Sequence, residues 1–242
     1  MNRLKVIEAK NYEEMSHIAS ERVQHCIQTK EQPILGLATG STPIGLYQHL
    51  IQLNKQGHIS FKNVTTFNLD EYVNLSRKDP NSYHYFMEDQ LFKHIDIDKS
   101  RTHVPNGEAT DLDQECHDYE KKIREAGGID LQILGIGANG HIGFNEPGTP
   151  FDSRTHIIEL DQGTREANSR FFESMEEVPT HAITTGIGTI MDSEEIILLI
   201  SGSSKKEAYQ KLMSGEVSED FPASVLQNHS NCLVIVDKES VN

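Results

Sequence analysis

Positive charge is scarce in this chain: 22 lysines and arginines stand against 37 aspartates and glutamates in 242 residues, a formal net charge of −15. A nucleic acid or an anionic membrane needs clustered cations, so the charge argues against both partners, and an anionic ligand would need a local basic pocket. Cysteine is scarce too. Cys26, Cys116 and Cys232 are too few and too scattered for a disulfide framework or a zinc site with paired spacing, and Cys26 and Cys232 lie in apolar runs, as core residues do. No apolar run approaches the length that spans a bilayer, and the first residues, MNRLKVIE, hold no signal-peptide hydrophobic region, so a cytoplasmic protein is expected. Low-complexity segments, internal repeats and interdomain linkers are also missing, and the length suits one large catalytic domain, residues 1–242.

What the chain does have is a series of short apolar runs at residues 4–7, 34–38, 64–69, 131–136, 196–200 and 233–236, with helical patterns between them. The alternation predicts an α/β fold: a single domain with a mostly parallel sheet flanked by helices. Between the first two runs, Tyr12, Met15, Ile18, Ala19, Val23, Cys26 and Ile27 recur with a helical period, which predicts one buried stripe behind an Asn11 N-cap. In such sheets ligands bind beyond the carboxyl ends of the strands, so the residues after each run are the candidates for function. The least regular region, 147–179, is expected to be a lid over the site or an ordinary surface excursion.

The richest of these strand ends is Leu134-Gly-Ile-Gly-Ala-Asn-Gly-His-Ile-Gly-Phe-Asn-Glu-Pro147, fourteen residues with four glycines, a histidine and a carboxylate. Glycine lets the backbone turn and approach a ligand where a β-carbon would intervene. His141 can accept and return a proton near neutral pH, with Glu146 close in the chain to orient it. A metal site is the competing reading, but the chain has no His-Glu-x-x-His and no third ligand at a recognisable spacing, so no metal is expected. The segment also matches Gly-x-Gly-x-x-Gly. The dinucleotide reading fails because Gly143, Pro147, Gly148 and Pro150 leave no room for the helix that the fingerprint must open.

Three further strand ends carry chemistry. Gly40-Ser41-Thr42-Pro43 precedes a helical pattern; Thr42 suits the N-cap and Pro43 the first helical position, which would aim free amides and the helix dipole at an anion near Gly40–Thr42. Taken alone, the turn is equally a plain cap. Lys205 follows the run at 196–200 through Ser-Gly-Ser-Ser and sits at a second helix start, and Arg170 precedes an aromatic pair. Either cation could grip phosphate, or be an ordinary surface charge. Asp70 follows the run at 64–69 and is either a general base, if its crevice is dry, or the cap of the next turn.

At this point the chain resembles a known family, the glucosamine-6-phosphate deaminases (isomerases) of the NagB type. The likeness rests on Leu35-Gly-Leu-Ala-Thr-Gly-Ser-Thr-Pro43, Thr66-Phe-Asn-Leu-Asp-Glu-Tyr72, Asn81-Ser-Tyr83, Gly135 to Pro147, Ser153-Arg-Thr155, Thr164-Arg-Glu-Ala-Asn-Ser-Arg-Phe-Phe172 and Gly202-Ser-Ser-Lys205, in order along nearly the whole chain. The resemblance implies a modified Rossmann-like sandwich and the conversion of glucosamine 6-phosphate and water to fructose 6-phosphate and ammonia, with no metal or organic cofactor. It implies His141 as ring opener with Glu146 and Asn139 positioning it, Asp70 as the base that moves a proton from C2 to C1, and Gly40, Ser41, Thr42, Arg170 and Lys205 as the phosphate pocket. Some members carry aspartate where this chain has Asn139, so a carboxylate–histidine dyad is absent and Glu146 is expected as the orienter. Members activated by N-acetylglucosamine 6-phosphate use basic residues where this chain has His156 and Ile158, and a longer C-terminal segment. No such activation is expected, and a monomer or small homo-oligomer is expected rather than a hexamer. The rivals are a 6-phosphogluconolactonase-like hydrolase, which would not need Asp70 and His141 together, and a sugar-phosphate-binding regulator that has lost turnover, against which the intact Asp70, His141 and Glu146 argue.

Overall fold

Each of the six apolar runs forms a strand in the computed structural model, which describes residues 4–241. They are β1 (Lys5–Ala9), β2 (Ile34–Leu37), β3 (Thr65–Asn68), β6 (Leu131–Leu134), β9 (Glu195–Ile200) and β10 (Cys232–Asp237). With the two-residue β5 (Thr102–His103) they make a seven-stranded sheet in the order β1-β10-β9-β6-β2-β3-β5, parallel throughout. Parallel strands need crossovers that cover both faces, so the central strands are apolar without alternation: β2 and β6 are buried at every position.

The helices are α1 (Tyr12–Thr29), α2 (Ile44–Lys55), α3 (Tyr83–Gln90), α4 (Leu112–Ala126), α5 (Gln162–Asn168), α6 (Ile187–Met191), α7 (Lys206–Met213) and α8 (Lys238–Val241). The Asn11 side chain accepts from the Glu14 amide at 2.9 Å, as an N-cap should. Met15, Ala19, Val23 and Cys26 form the buried stripe of α1, and Tyr12, Ile18 and Ile27 pack partly buried against the same core. No helix among the described residues is long and apolar enough to cross a membrane.

A second sheet is the feature that the apolar runs do not announce. β4 (Asp70–Tyr72), β8 (His181–Thr184) and β7 (His156–Glu159) pair antiparallel in the order β4-β8-β7. The run at 64–69 therefore does not end in one strand. Leu69 donates its amide to Leu37 and accepts from Thr185, so the chain leaves the large sheet there and enters the small one at Asp70. In the large sheet the winding reverses between β2, whose successors lie on the β3 side, and β6, whose successors lie on the β9 side. The carboxyl ends of these neighbouring strands meet at that switch, the place where open α/β sheets bind ligands.

Candidate active site

Beyond β6 the chain runs through turns rather than a helix, and the next helix, α5, begins at Gln162. The dinucleotide reading is thereby excluded by structure as well as by composition. Gly137 and His141 are tied by an amide-to-carbonyl bond of 2.9 Å, and the imidazole lies flat against Gly137; a β-carbon there would sit 2.1 Å from Cε1 of His141. Only glycine lets the ring rest on this backbone. The loop is stitched to the rest of the protein by the buried Asn145 amide, which donates to the carbonyls of Ile142 and Thr185 at 2.8 and 2.9 Å.

The polar side chains of this loop form a relay. His141 Nδ1 donates to Oδ1 of Asn139 at 2.7 Å, Nδ2 of Asn139 donates to Oε2 of Glu146 at 2.8 Å, and the Thr164 hydroxyl donates to Oε1 of Glu146 at 2.7 Å. Each link fixes the next. A carboxylate accepts only, so the asparagine must present its NH2 to Glu146 and its oxygen to the histidine; the proton then sits on Nδ1, and Nε2 keeps a free lone pair. Glu146 reaches His141 through Asn139: its Oε2 lies 3.8 Å from Nδ1, and Asn139 is hydrogen-bonded to both. Burial holds the imidazole below its ordinary pKa; the charge of Glu146 opposes that shift and the charge of Lys205 adds to it. His141 is thus neutral at pH 7. Thr164, which stands in one of the matched motifs but had no assigned role, is the partner that sequence reasoning missed.

Asp70 faces this loop. Its Oδ2 lies 3.6 Å from the point where a β-carbon on Gly143 would stand, and that glycine has φ of +57°. The side chain caps nothing: Asp70 sits in the ladder opposite Thr184. It is 7% exposed, and burial together with the charge of Glu71 pushes its pKa up to about 8. Part of the dry wall is aromatic, since the Tyr72 ring lies 5.7 Å from Phe144 and 4.9 Å from Tyr83. A buried carboxyl with so high a proton affinity is a competent base for carbon.

The basic pocket lies on the same edge. Gly40, Ser41 and Thr42 follow β2, and Lys205 follows β9, one strand away on either side of β6. Burial and the nearby charge of Arg170 both lower the pKa of Lys205, and neither cation has a carboxylate partner among the described residues. Arg170 is steadied over the Phe171 ring at 4.7 Å. One detail is corrected: α2 starts at Ile44 with Pro43, not Thr42, at the N-cap, and no side chain of the turn caps it. Instead the Tyr12 hydroxyl accepts from the Gly45 amide at 2.8 Å and donates to the Ser41 carbonyl at 2.9 Å. Tyr12 fell in the apolar stripe of α1, and its period gave no sign that its hydroxyl reaches the next helix. No group of three or more His, Cys, Asp or Glu side chains able to hold a metal occurs among the described residues.

The chain is similar to known proteins over nearly its full length. Proteins named glucosamine-6-phosphate deaminase from Oceanobacillus iheyensis and Bacillus subtilis are 57% and 53% identical to this chain, over 98% and 99% of it and 95% and 99% of themselves. A solved structure described as a monomeric glucosamine-6-phosphate deaminase of the NagB superfamily superposes with a TM-score of 0.97 at 53% identity, covering 98% of each chain. A 6-phosphogluconolactonase from Thermotoga maritima, 19% identical with a TM-score of 0.76 over 97% of this chain and 99% of that one, shares the fold. The profile described as glucosamine-6-phosphate isomerases/6-phosphogluconolactonase matches residues 8–235, and the chain belongs to that family.

Proposed function

We infer that this protein is a glucosamine-6-phosphate deaminase, which converts D-glucosamine 6-phosphate and water to D-fructose 6-phosphate and ammonia. The observation that carries the reading is a buried carboxyl, Asp70, set across the switch point from a neutral, oriented imidazole, His141, with Lys205 near the imidazole and Arg170 near Lys205. Full-length relatives at 57% and 53% identity bear that name.

The chemistry follows from the groups. Lys205, Arg170 and the amides of Gly40, Ser41 and Thr42 hold the phosphate, which fixes the sugar so that its far end meets the two proton carriers. Nε2 of His141 takes the proton of the anomeric hydroxyl and returns it to the ring oxygen, opening the ring to the aldehyde. Glu146 and Asn139 act through the imidazole, by holding its tautomer. Asp70 in its ionised form then removes the proton on C2 while the aldehyde oxygen takes one from the C2 ammonium, giving an enolamine, and Asp70 returns its proton to C1. The nitrogen is left as an imine on C2; water adds there, the C–N bond breaks, and ammonia leaves the ketone.

Regulation is read the same way. The positions that are basic in activated relatives are His156 and Ile158 here, and we propose a monomeric enzyme that does not respond to N-acetylglucosamine 6-phosphate, as suits a solved relative described as monomeric. A cytoplasmic location is proposed because the substrate is a charged sugar phosphate and all three cysteines are free. The test is formation of fructose 6-phosphate and ammonia from glucosamine 6-phosphate by purified protein, with Asp70→Asn and His141→Gln alongside. Turnover that falls by a factor on the order of 10² or more in each variant is expected; an inert wild type, or full activity in both variants, would overturn the reading.

A further inference from the structure

The mechanism above leaves one buried acid beside the base unused. Glu71 follows Asp70 on β4, so its side chain projects to the opposite face of the strand, where it is 1% exposed. Its two oxygens accept four bonds: from the amides of Tyr72 and Tyr83 at 2.9 and 3.0 Å, and from the amide and Nδ1 of His84 at 3.0 and 2.8 Å. Tyr83 and His84 open α3, so the acid sits on the amides of a helix N-terminus and ties that helix to the strand that carries the base.

Resting on the deaminase reading, we propose that Glu71 is a positioning residue that fixes Asp70 in place and sets its proton affinity from behind. The groups around Asp70 are Glu71 and Tyr72 on its own strand, Tyr83 of α3, Tyr119 of α4, Thr184 of β8 and the Gly143 backbone. Glu71 is the only carboxyl group in this set. Its negative charge makes Asp70 a stronger base toward carbon and makes the pocket attractive to the ammonium that an amino sugar carries on C2, the group by which this substrate differs from the 2-hydroxyl sugar phosphate.

The experiment needs no substrate. The carboxyl signal of Asp70 is titrated by NMR in the free protein made with isotope-labelled aspartate, and is assigned by its loss in Asp70→Asn. In Glu71→Gln the midpoint should fall by on the order of one pH unit, while Glu71→Asp, which keeps the charge, should stay near wild type. An unmoved midpoint in Glu71→Gln, or an equal shift in both variants, would overturn the proposal. Should Glu71→Gln not fold, His84→Lys places a permanent cation against the acid; a fall is again expected, and no shift would overturn. The acid limb of kcat/KM should follow the midpoint. Absence of turnover would sink the deaminase reading and leave the titration to decide the role of Glu71.

Discussion

Asn139 does by geometry what a carboxylate would do by charge. Because its amide is locked by Glu146, it can only accept from His141, so the imidazole is oriented without being made more basic. Asn139→Ala should therefore lower kcat by roughly 10- to 100-fold with little change in KM, since substrate is still held by its phosphate; an equal loss in both constants would place Asn139 in binding instead. Asp70 has a price in stability. Its carboxyl is protonated in the folded protein up to about pH 8, whereas in the unfolded chain it ionises at the ordinary aspartate value of 3.8. The folded state thus binds the extra proton between those values, and stability from this group is lost as pH rises through the window, with the full penalty reached above the folded pKa. Asp70→Asn should consequently stabilise the free protein, by nothing near pH 3 and by on the order of 2–4 kcal/mol near pH 8. Thermal melts of the two proteins across that range decide it, and a constant difference would show that burial does not set this pKa.

At the scale of elements, three side chains of α5 set its attachments. Thr164 of α5 reaches Glu146, Asn168 donates to the Tyr72 hydroxyl at 3.0 Å, and Arg165 closes the segment on itself through the Val178 carbonyl at 2.8 Å. Thr164→Val keeps the shape and removes the bond, and should lower kcat several-fold, by about 1 kcal/mol of orientation; an unchanged kcat would show that Glu146 needs no help from α5. Tyr12→Phe should weaken the start of α2, at about 1 kcal/mol of stability, and raise KM for the phosphorylated substrate. These links also mark what a sequence can and cannot disclose. The strand-turn units at Gly40, His141 and Lys205 were legible because buried parallel strands are apolar without interruption and glycine stands out where backbone meets ligand. The small sheet was not. β4 is three residues long and begins with two acids, β8 begins with a histidine, and β7 shows only the brief run Ile157-Ile158 inside a polar region, so no pattern tied the three into a sheet. Glu71 was unreadable for the same reason: its partners, Tyr83 and His84, become neighbours only once α3 docks on β4.

Across the whole molecule, the residues proposed for the site, 40, 70, 141, 164 and 205, are far apart in the chain: 40 and 141 lie in the turns after β2 and β6, 70 opens β4, 164 is in α5 and 205 follows β9. Sedimentation of the purified protein is expected to give a single 27.2 kDa species, with hyperbolic saturation that N-acetylglucosamine 6-phosphate leaves unaltered; a larger assembly, or a fall in half-saturation, would refute the monomeric, unregulated reading. The parallel sheet also imposes an order on synthesis. β1 pairs with β10 alone, Lys5 against Leu233 and Ala9 against Asp237. As the nascent chain leaves the ribosome, β1 emerges first among these strands and must wait, with its ladder unmade, for a partner more than 200 residues behind it. Throughout translation the growing protein carries an open strand that any other β-edge could capture, and chaperone binding to the newborn chain is where that exposure should be felt.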